Sequence, residues 1–312
     1  MISYIIKRIL LLIPVLLGVI LLTFLIAQVT PGDPAAIALG PMATVQDIAD
    51  LRSHLGLDDP LHIQFFRYLS RVVQGDLGLS IRGQTPVLTE ILLRLPSTVK
   101  LTSLAMAMAL VFGVGAGLIA AVTRRKSLEG VVMVTALIGI SVPSFWMAIL
   151  CIVVFGVNLG WVSVVGGEGF KNLILPAFTL SLAPGAFLAR LTRSSMKEVI
   201  REDYIRTARA KGLSWFRITE VHALKNSMIP VVTVIGLQIA AMLGGTVFIE
   251  SVFARPGLGR FAVNAIANRD FPQIQGVVLF LASAYAVLNL LVDILYTVLD
   301  PRISYNRKDS SK

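Results

Sequence analysis

Three histidines, His54, His62 and His222, and one cysteine, Cys151, are the residues of this 312-residue chain best suited to nucleophilic or metal chemistry. Their number and spacing argue against both. A single cysteine closes no internal disulfide and builds no cysteine-type zinc site. Inside an apolar run it reads as a small buried hydrophobe. The chain has no H-E-x-x-H, no G-x-S-x-G and no G-x-x-x-x-G-K-[ST], the patterns of zinc hydrolases, serine hydrolases and phosphate-binding loops. Gly113-Val114-Gly115-Ala116-Gly117 resembles a phosphate loop only faintly. It lies within an apolar run, where Gly113 and Gly117 have the small-xxx-small spacing of a helix contact. The expectation is a chain with no catalytic residue, no metal ligand and no cofactor of its own.

The chemistry that remains is polar groups set in oily surroundings. Ser141, Ser144, Gln238, Asn289 and Asp293 interrupt apolar runs. Pro143 sits between two of them, and proline removes a backbone hydrogen bond and leaves a carbonyl free. At membrane depth that carbonyl needs a partner or a water-lined cavity. A kink for packing and a kink lining a pathway are both open. Ser141, Pro143, Ser144, Gln238 and Asn289 are the candidate lining of a translocation path. An ionisable residue in a span is a functional candidate by default. For Asp293, near the end of its run, pairing with a loop arginine and a part in transport both remain open.

The longest strongly charged passage is Arg206–Pro230, RTARAKGLSWFRITEVHALKNSMIP. Asp203–Ala210 predicts a helix, which Lys211-Gly212 ends, since glycine accepts the left-handed cap conformation. Ser214 is placed to cap a second helix from Trp215. There Phe216, Thr219, Glu220 and Ala223 fall along one face, with Ile218, Val221 and Leu224 near another. Lys225 is expected at the C-terminal end, where it suits the helix dipole. Such a helix suits a membrane surface or a groove on a partner protein.

The elements that position these residues are membrane helices. Hydrophobic residues make up 55% of the chain and charged ones 15%, with a mean hydropathy of +0.79. Ordinary soluble domains carry about 25% charged residues. A bilayer core needs roughly 20 apolar helical residues. Six runs qualify: Ile9–Val29, Leu101–Val122, Val131–Val157, Leu173–Ala189, Met228–Ile249 and Gly276–Leu299. The third is long and is expected to tilt or kink at Pro143. The first is too long for a signal core of about 7–15 residues, and Gln28-Val29-Thr30-Pro31 is no small-residue cleavage site. It is expected to stay as an anchor.

Six spans put both termini on one side. The tails and the loops Arg124–Gly130 and Arg190–Ser227 carry 18 Lys and Arg, the short loops opposite only four. The positive-inside rule then makes the termini and Arg206–Pro230 cytoplasmic. The net charge of +10 follows from topology and anionic headgroups, so no nucleic acid is called for.

The charged passage resembles the EAA loop of ABC importer permeases, the loop that docks onto the ATPase subunit. Aligned on Gly212, the E-A-A positions are Arg206, Thr207 and Ala208, and nine residues after Gly212 comes His222-Ala223-Leu224-Lys225. The glutamate, isoleucine and proline of the general pattern are absent. The form RTARAKGL with HALKN instead is similar to the peptide-transport subfamily. The resemblance covers nearly the whole chain. It takes in Tyr4-Ile5-Ile6-Lys7-Arg8, Pro31-Gly32-Asp33-Pro34, Leu55-Gly56-Leu57-Asp58-Asp59-Pro60-Leu61 and Gly75-Asp76-Leu77-Gly78-Leu79-Ser80. Further along, Leu95-Pro96-Ser97-Thr98, Val252-Phe253-Ala254-Arg255-Pro256-Gly257-Leu258-Gly259 and Leu299-Asp300-Pro301-Arg302 fit as well. Together these look like the first permease subunit of dipeptide and oligopeptide importers.

That resemblance implies an all-α, multi-pass protein of the bacterial inner membrane, with six transmembrane helices in the type I importer permease fold. Residues 1–30 would be the first span, 31–94 an extracytoplasmic segment, 95–300 the permease core with a coupling loop at about 190–230, and 301–312 a cytoplasmic tail. It implies a second homologous permease, two ABC ATPase subunits using ATP and Mg, and an extracytoplasmic peptide-binding protein. The coupling residues would be Arg206, Thr207, Ala208, Ala210, Lys211, Gly212, Leu213, Trp215, Phe216, His222, Ala223 and Leu224, with Trp215 and Phe216 as apolar contacts at the ATPase surface. The same subgroup includes importers of nickel chelates and glutathione. A gradient-driven secondary transporter is the rival, and it predicts internal repeats and paired intramembrane charges, neither of which is evident.

Overall fold

The runs of apolar residues become helices because a backbone at membrane depth must satisfy its own hydrogen bonds. The computed structural model describes residues 2–29, 32–161 and 169–299. Thr30, Pro31 and everything from Asp300 onward lie outside the described residues. So does the tail expected at 301–312. Among the described residues there is no strand, only an isolated bridge between Leu79 and Pro86. Five helices are long and apolar enough to cross a membrane, and a sixth crossing is made if the bent pair Lys126–Ser141 and Ser144–Asn158 counts as one span. The chain divides into two compact units: Met1–Ser97 with Pro256–Leu290, and Thr98–Arg255 with the chain from Leu291 onward.

The first unit begins with α1 (Ile2–Val29), apolar all round beyond Lys7-Arg8 and carrying Pro14. Only a narrow stripe of it is covered. Ile20 and Phe24 are buried with Tyr68 and Leu279, while most of its leucines and isoleucines are exposed. That is the surface of a helix bathed in lipid. Three short helices follow: α2 (Pro34–Leu39), α3 (Val45–Leu55) and α4 (Leu61–Val73). Asp33 caps α2 by accepting from the Ala35 N–H, and Thr44 and Asp47 form a capping box on α3. Arg52 reaches both Asp33 and Asp58 at 2.8 Å. Burial pushes the Asp33 carboxyl up, but the Arg52 and Ala35 hydrogen bonds outweigh it and hold it below the usual carboxylate value. The apolar face of α4 lays Phe65 and Tyr68 against Phe24, with ring centroids 5.5 and 6.2 Å apart.

In the same unit, α13 (Leu258–Asn268) and the start of α14 (Phe271–Leu299) pack on the first turns of α5 (Val87–Met108) through Val87, Ile91, Leu258, Phe261 and Val277. The Arg94 guanidinium lies over the Phe261 ring at 4.5 Å. Ser80 donates to the buried Asp270 carboxylate at 2.6 Å, fixing the loop before α5 to the turn before α14.

In the second unit, α5 runs on through a π-helical segment, Ala109–Val114, into α6 (Gly115–Val122). Then come α7 (Lys126–Ser141), α8 (Ser144–Cys151) and a second π-helical segment, Ile152–Asn158. At the centre lies α9 (Lys171–Val199), packed against α6, α7, α8 and α12 (Lys225–Val252). Its small residues set the spacing. A Cβ on Gly113 would stand 2.4 Å from the Gly185 carbonyl oxygen, and one on Gly117 would stand 2.5 Å from that of Ala189. These two glycines are helix-packing positions, as their spacing predicts. Around them Leu101, Ala105, Leu180, Leu188, Val231 and Ile249 form the largest apolar cluster.

Two of the apolar runs show more than their sequence bounds give. The third run is kinked at Pro143, as expected, and sharply: at Val142-Pro143 the axes of α7 and the following helix turn by 104°. Proline removes the hydrogen bond that would hold the two halves in line, and Val142 is extended, as a residue before proline prefers. The fourth run is only part of a helix ten residues longer at its C-terminal end. Past Ala189, the side of α9 that carries Thr192, Ser195 and Met196 stays buried, so the helix outlasts the apolar sequence.

Candidate functional site

The expected coupling residues come together in one region of the second unit. The first helix, α10, spans Asp203–Ala210, as predicted. Lys211 caps it and Gly212 takes φ +74°, the left-handed turn for which glycine is suited. The Gly212 N–H donates to the Arg209 carbonyl at 2.9 Å, and the Leu213 N–H to that of Ala208 at 3.3 Å. Ser214 is extended and its hydroxyl accepts from the Arg217 N–H, which starts α11 (Trp215–Arg217).

From there the structure departs from expectation. The second helix does not end at Lys225. It passes through a third π-helical segment, Ile218–Leu224, straight into α12, so that helix is unbroken from Trp215 to Val252. No glycine or proline lies between Trp215 and Ile229, and nothing there stops the helix. The inward face also differs from an α-helical reading. Ile218 and Ala223 are fully buried and Val221 is exposed. Five residues separate the two buried positions, the repeat of the i→i+5 π turn rather than of an α turn.

Ile205, Ala208, Ile218 and Ala223 pack with Met196 of α9 and Ala121 of α6, and Leu213 borders the cluster. This small core fastens the loop to the membrane helices. Asn226 donates to the Tyr204 hydroxyl at 2.9 Å, and Ser195 to the Ser227 carbonyl at 2.9 Å. Glu129, at the start of α7, takes the Arg193 Nε–H at 2.8 Å and pairs with Lys197 as well. What stays outward is Arg206, Thr207, Ala210, Lys211, Gly212 and Phe216. Phe216 is 69% exposed. Trp215 is half-buried, its ring covered by the Arg209 guanidinium at 4.7 Å. His222 and Leu224 are half-buried too. Beside the loop, a polar cleft of about 440 Å³ lies along the α9–α10 junction from Arg193 to Asp203.

The candidate path residues are more scattered. Ser141, Pro143 and Ser144 form the break between α7 and α8, the first two exposed and Ser144 half-buried. Gln238 is half-buried on α12. Asn289 belongs to the other unit, on α14, where its side-chain oxygen is buried with no hydrogen-bond partner among the described residues. Among the described residues no group of histidine, cysteine or acidic side chains is arranged to hold a metal ion.

One group escapes a search for polar residues inside apolar runs, because it sits a single residue past the run Met228–Ile249. Glu250, in the last turn of α12, is fully buried. The fully buried Thr98 hydroxyl donates to its carboxylate at 2.6 Å. Beyond it Ala254 has φ +52°, and the Arg255 N–H donates to the Glu250 carbonyl at 2.8 Å. That turn brings the Arg255 guanidinium 3.4 Å from the Asn172 carbonyl at the start of α9. Burial pulls the Arg255 side chain below its usual value, against the upward pull of the Glu250 charge.

Comparison with known proteins agrees with this architecture. Residues 113–305 match the family described as binding-protein-dependent transport system inner membrane component, and residues 1–102 match the corresponding N-terminal family. The chain is 47% identical over 305 residues to a glutathione transport system permease protein, GsiC, of Escherichia coli O6:H1, covering 98% of this chain and 100% of that one. It is 46% identical to the protein of the same name from Salmonella paratyphi A, again over 98% and 100%. Among solved structures it is similar to an inward-facing MetNI methionine ABC transporter, with TM-score 0.58 at 18% identity over 67% of this chain and 96% of that one. An amino acid ABC transporter gives TM-score 0.54 at 18% identity, over 75% and 98%. The type I importer fold, the six apolar segments and the full-length likeness place this chain in the family of binding-protein-dependent transport system inner membrane components, as an ABC importer permease of the bacterial inner membrane.

Proposed function

We propose that this chain is one of two permeases in an ATP-driven importer of short peptides, with glutathione, itself a tripeptide, as the first substrate to test. The observation that supports the substrate class is the 47% identity to a glutathione permease along the whole length of both chains. Arg206–Leu224 acts as the coupling element. A partner ATPase subunit docks on the outward face around Arg206, Lys211 and Phe216, with the α9–α10 cleft beside it. The chain itself binds no nucleotide. ATP and Mg belong to two partner ATPase subunits, and solute arrives from an extracytoplasmic binding protein. ATP closes the ATPase pair, the docked loop moves, and the helices switch between outward and inward openings. Near-complete switching needs about 5.5 kcal/mol of bias, and two nucleotides bound across an ATPase interface are the source of it. The break at Ser141-Val142-Pro143-Ser144, with Gln238, supplies polar groups for the path.

The test is uptake in proteoliposomes holding the full complex, with radiolabelled glutathione, a dipeptide, a longer peptide and a nickel chelate offered in turn. ATP-dependent uptake of glutathione or peptides supports the reading, and uptake of the nickel chelate alone overturns the substrate class. Uptake by this chain without ATPase subunits, driven by an ion gradient, overturns the importer mechanism.

A further inference from the structure

Among the described residues of the second unit, the Glu250 cluster is a buried charge arrangement that the family likeness and the proposed function leave unused. A carboxylate taken out of water costs several kcal/mol unless it is paired and hydrogen-bonded. Replacing such a group by an apolar residue of similar volume is often neutral or stabilising. Stability alone is therefore a poor reason to keep Glu250 fully buried near the end of an apolar helix. Its contacts point to another reason. The carboxylate takes a hydrogen bond from Thr98 on α5. The turn after it, with Ala254 in a conformation that costs a non-glycine residue energy, carries Arg255 to the start of α9. The side chain joins α12 to α5, its charge faces Arg255, and the turn anchored on its backbone carbonyl joins the end of α12 to α9. In addition, α12 is continuous with the π segment of the loop, in a helix of 38 residues from Trp215 to Val252, about 57 Å at 1.5 Å per residue.

We infer that Glu250 is a positioning residue of the transport cycle, holding the far end of α12 to α5 through Thr98 and to the start of α9 through the Arg255 turn, so that movement of the loop is delivered to all three helices together. This rests on the proposed coupling role of Arg206–Leu224. Without the Glu250 junction, α12 moves alone, and ATP is hydrolysed without a matching opening of the path.

The test uses the whole complex in proteoliposomes with its binding protein, measuring solute uptake and ATP hydrolysis on the same preparation. E250Q keeps an acceptor for Thr98 and removes the charge facing Arg255. T98V keeps the volume and removes the donor. Each is expected to assemble at the parental yield and to raise ATP hydrolysed per solute about fivefold, the lower end of usual coupling between sites. T98S is expected to restore the parental ratio, and the double variant to be no worse than the poorer single one. Where E250Q fails to assemble, T98V and T98S decide. An unchanged ratio in T98V overturns the inference, as does a fall of uptake and hydrolysis in equal proportion, which marks a merely structural residue. If the parental complex itself shows no ATP-driven uptake, the coupling reading beneath the inference falls first.

Discussion

The two ends of the helix from Trp215 to Val252 are held in opposite ways. At the loop end the buried side chains are apolar, Ile218 and Ala223, while Arg217, Glu220 and Lys225 are exposed together with the aromatic Phe216. At the far end the polar groups are inside, with Glu250 and Thr98 fully buried. The first arrangement suits a segment in water whose outer face is reserved for a partner. The second suits a packed protein interior that excludes water, where every polar group must find a protein partner. The difference teaches that one continuous helix carries two kinds of contact. Under the proposed coupling role, one is made and remade with another chain, and the other is kept within this chain.

The largest effect is expected where both ends depend on the same packing. Gly113→Val places atoms 2.4 Å from the Gly185 carbonyl oxygen, and the expected cost is about 3 kcal/mol or more. Size-exclusion profiles after mild extraction should show no monodisperse complex. Ile218→Ala hollows the loop-end cluster at an expected cost of about 2–5 kcal/mol. Limited proteolysis should then cut between Arg206 and Lys225, with the far end unaffected.

Gly212→Val forces a β-branched residue to φ +74°, costing about 1–2 kcal/mol. A side chain there meets nothing within 4 Å, so the cost is one of backbone alone. Gly212→Asn is therefore expected to keep uptake, while Gly212→Val abolishes it and the chain still inserts. Phe216→Ala touches only an exposed ring. Its stability should stay within about 0.5 kcal/mol, and ATPase subunits should co-purify some 30-fold less readily if the ring is an anchor worth about 2 kcal/mol. Equal recovery would remove Phe216 from the docking face. The smallest effect belongs to Glu129→Gln, which loses the pairs to Arg193 and Lys197. These are partly exposed, so only a small loss is expected, and it should shrink as salt is raised.

Local signals carried most of the loop. The bounds of α10, the glycine turn and the Ser214 cap are all legible, because each is decided within a few residues by propensity and capping. The π segment at Ile218–Leu224 is not, since an i→i+5 turn and an α turn use the same residues and differ only in register. The same blindness hides the angle at Pro143. The residue announces a lost hydrogen bond, but the packing of α7 and α8 against α9 decides how far the chain turns. Glu250 is not legible for a different reason. Its surroundings come from Thr98, 152 residues away along the chain, and no window around Glu250 contains them. The path residues are legible as polar interruptions only, and their division between two units follows from tertiary structure.

The π register between Trp215 and Lys225 also bears on how this chain tolerates changes of length. A π turn holds one residue more than the α turn it replaces. Deleting one residue within Ile218–Leu224 therefore relaxes the segment to regular α geometry and leaves α12 facing as before. The same deletion elsewhere in α12 turns everything beyond it by about 100°, one residue's share of a 3.6-residue turn, and rotates Glu250 away from Thr98. The segment is a length buffer, a place where a gene can lose a codon while the membrane helix keeps its orientation.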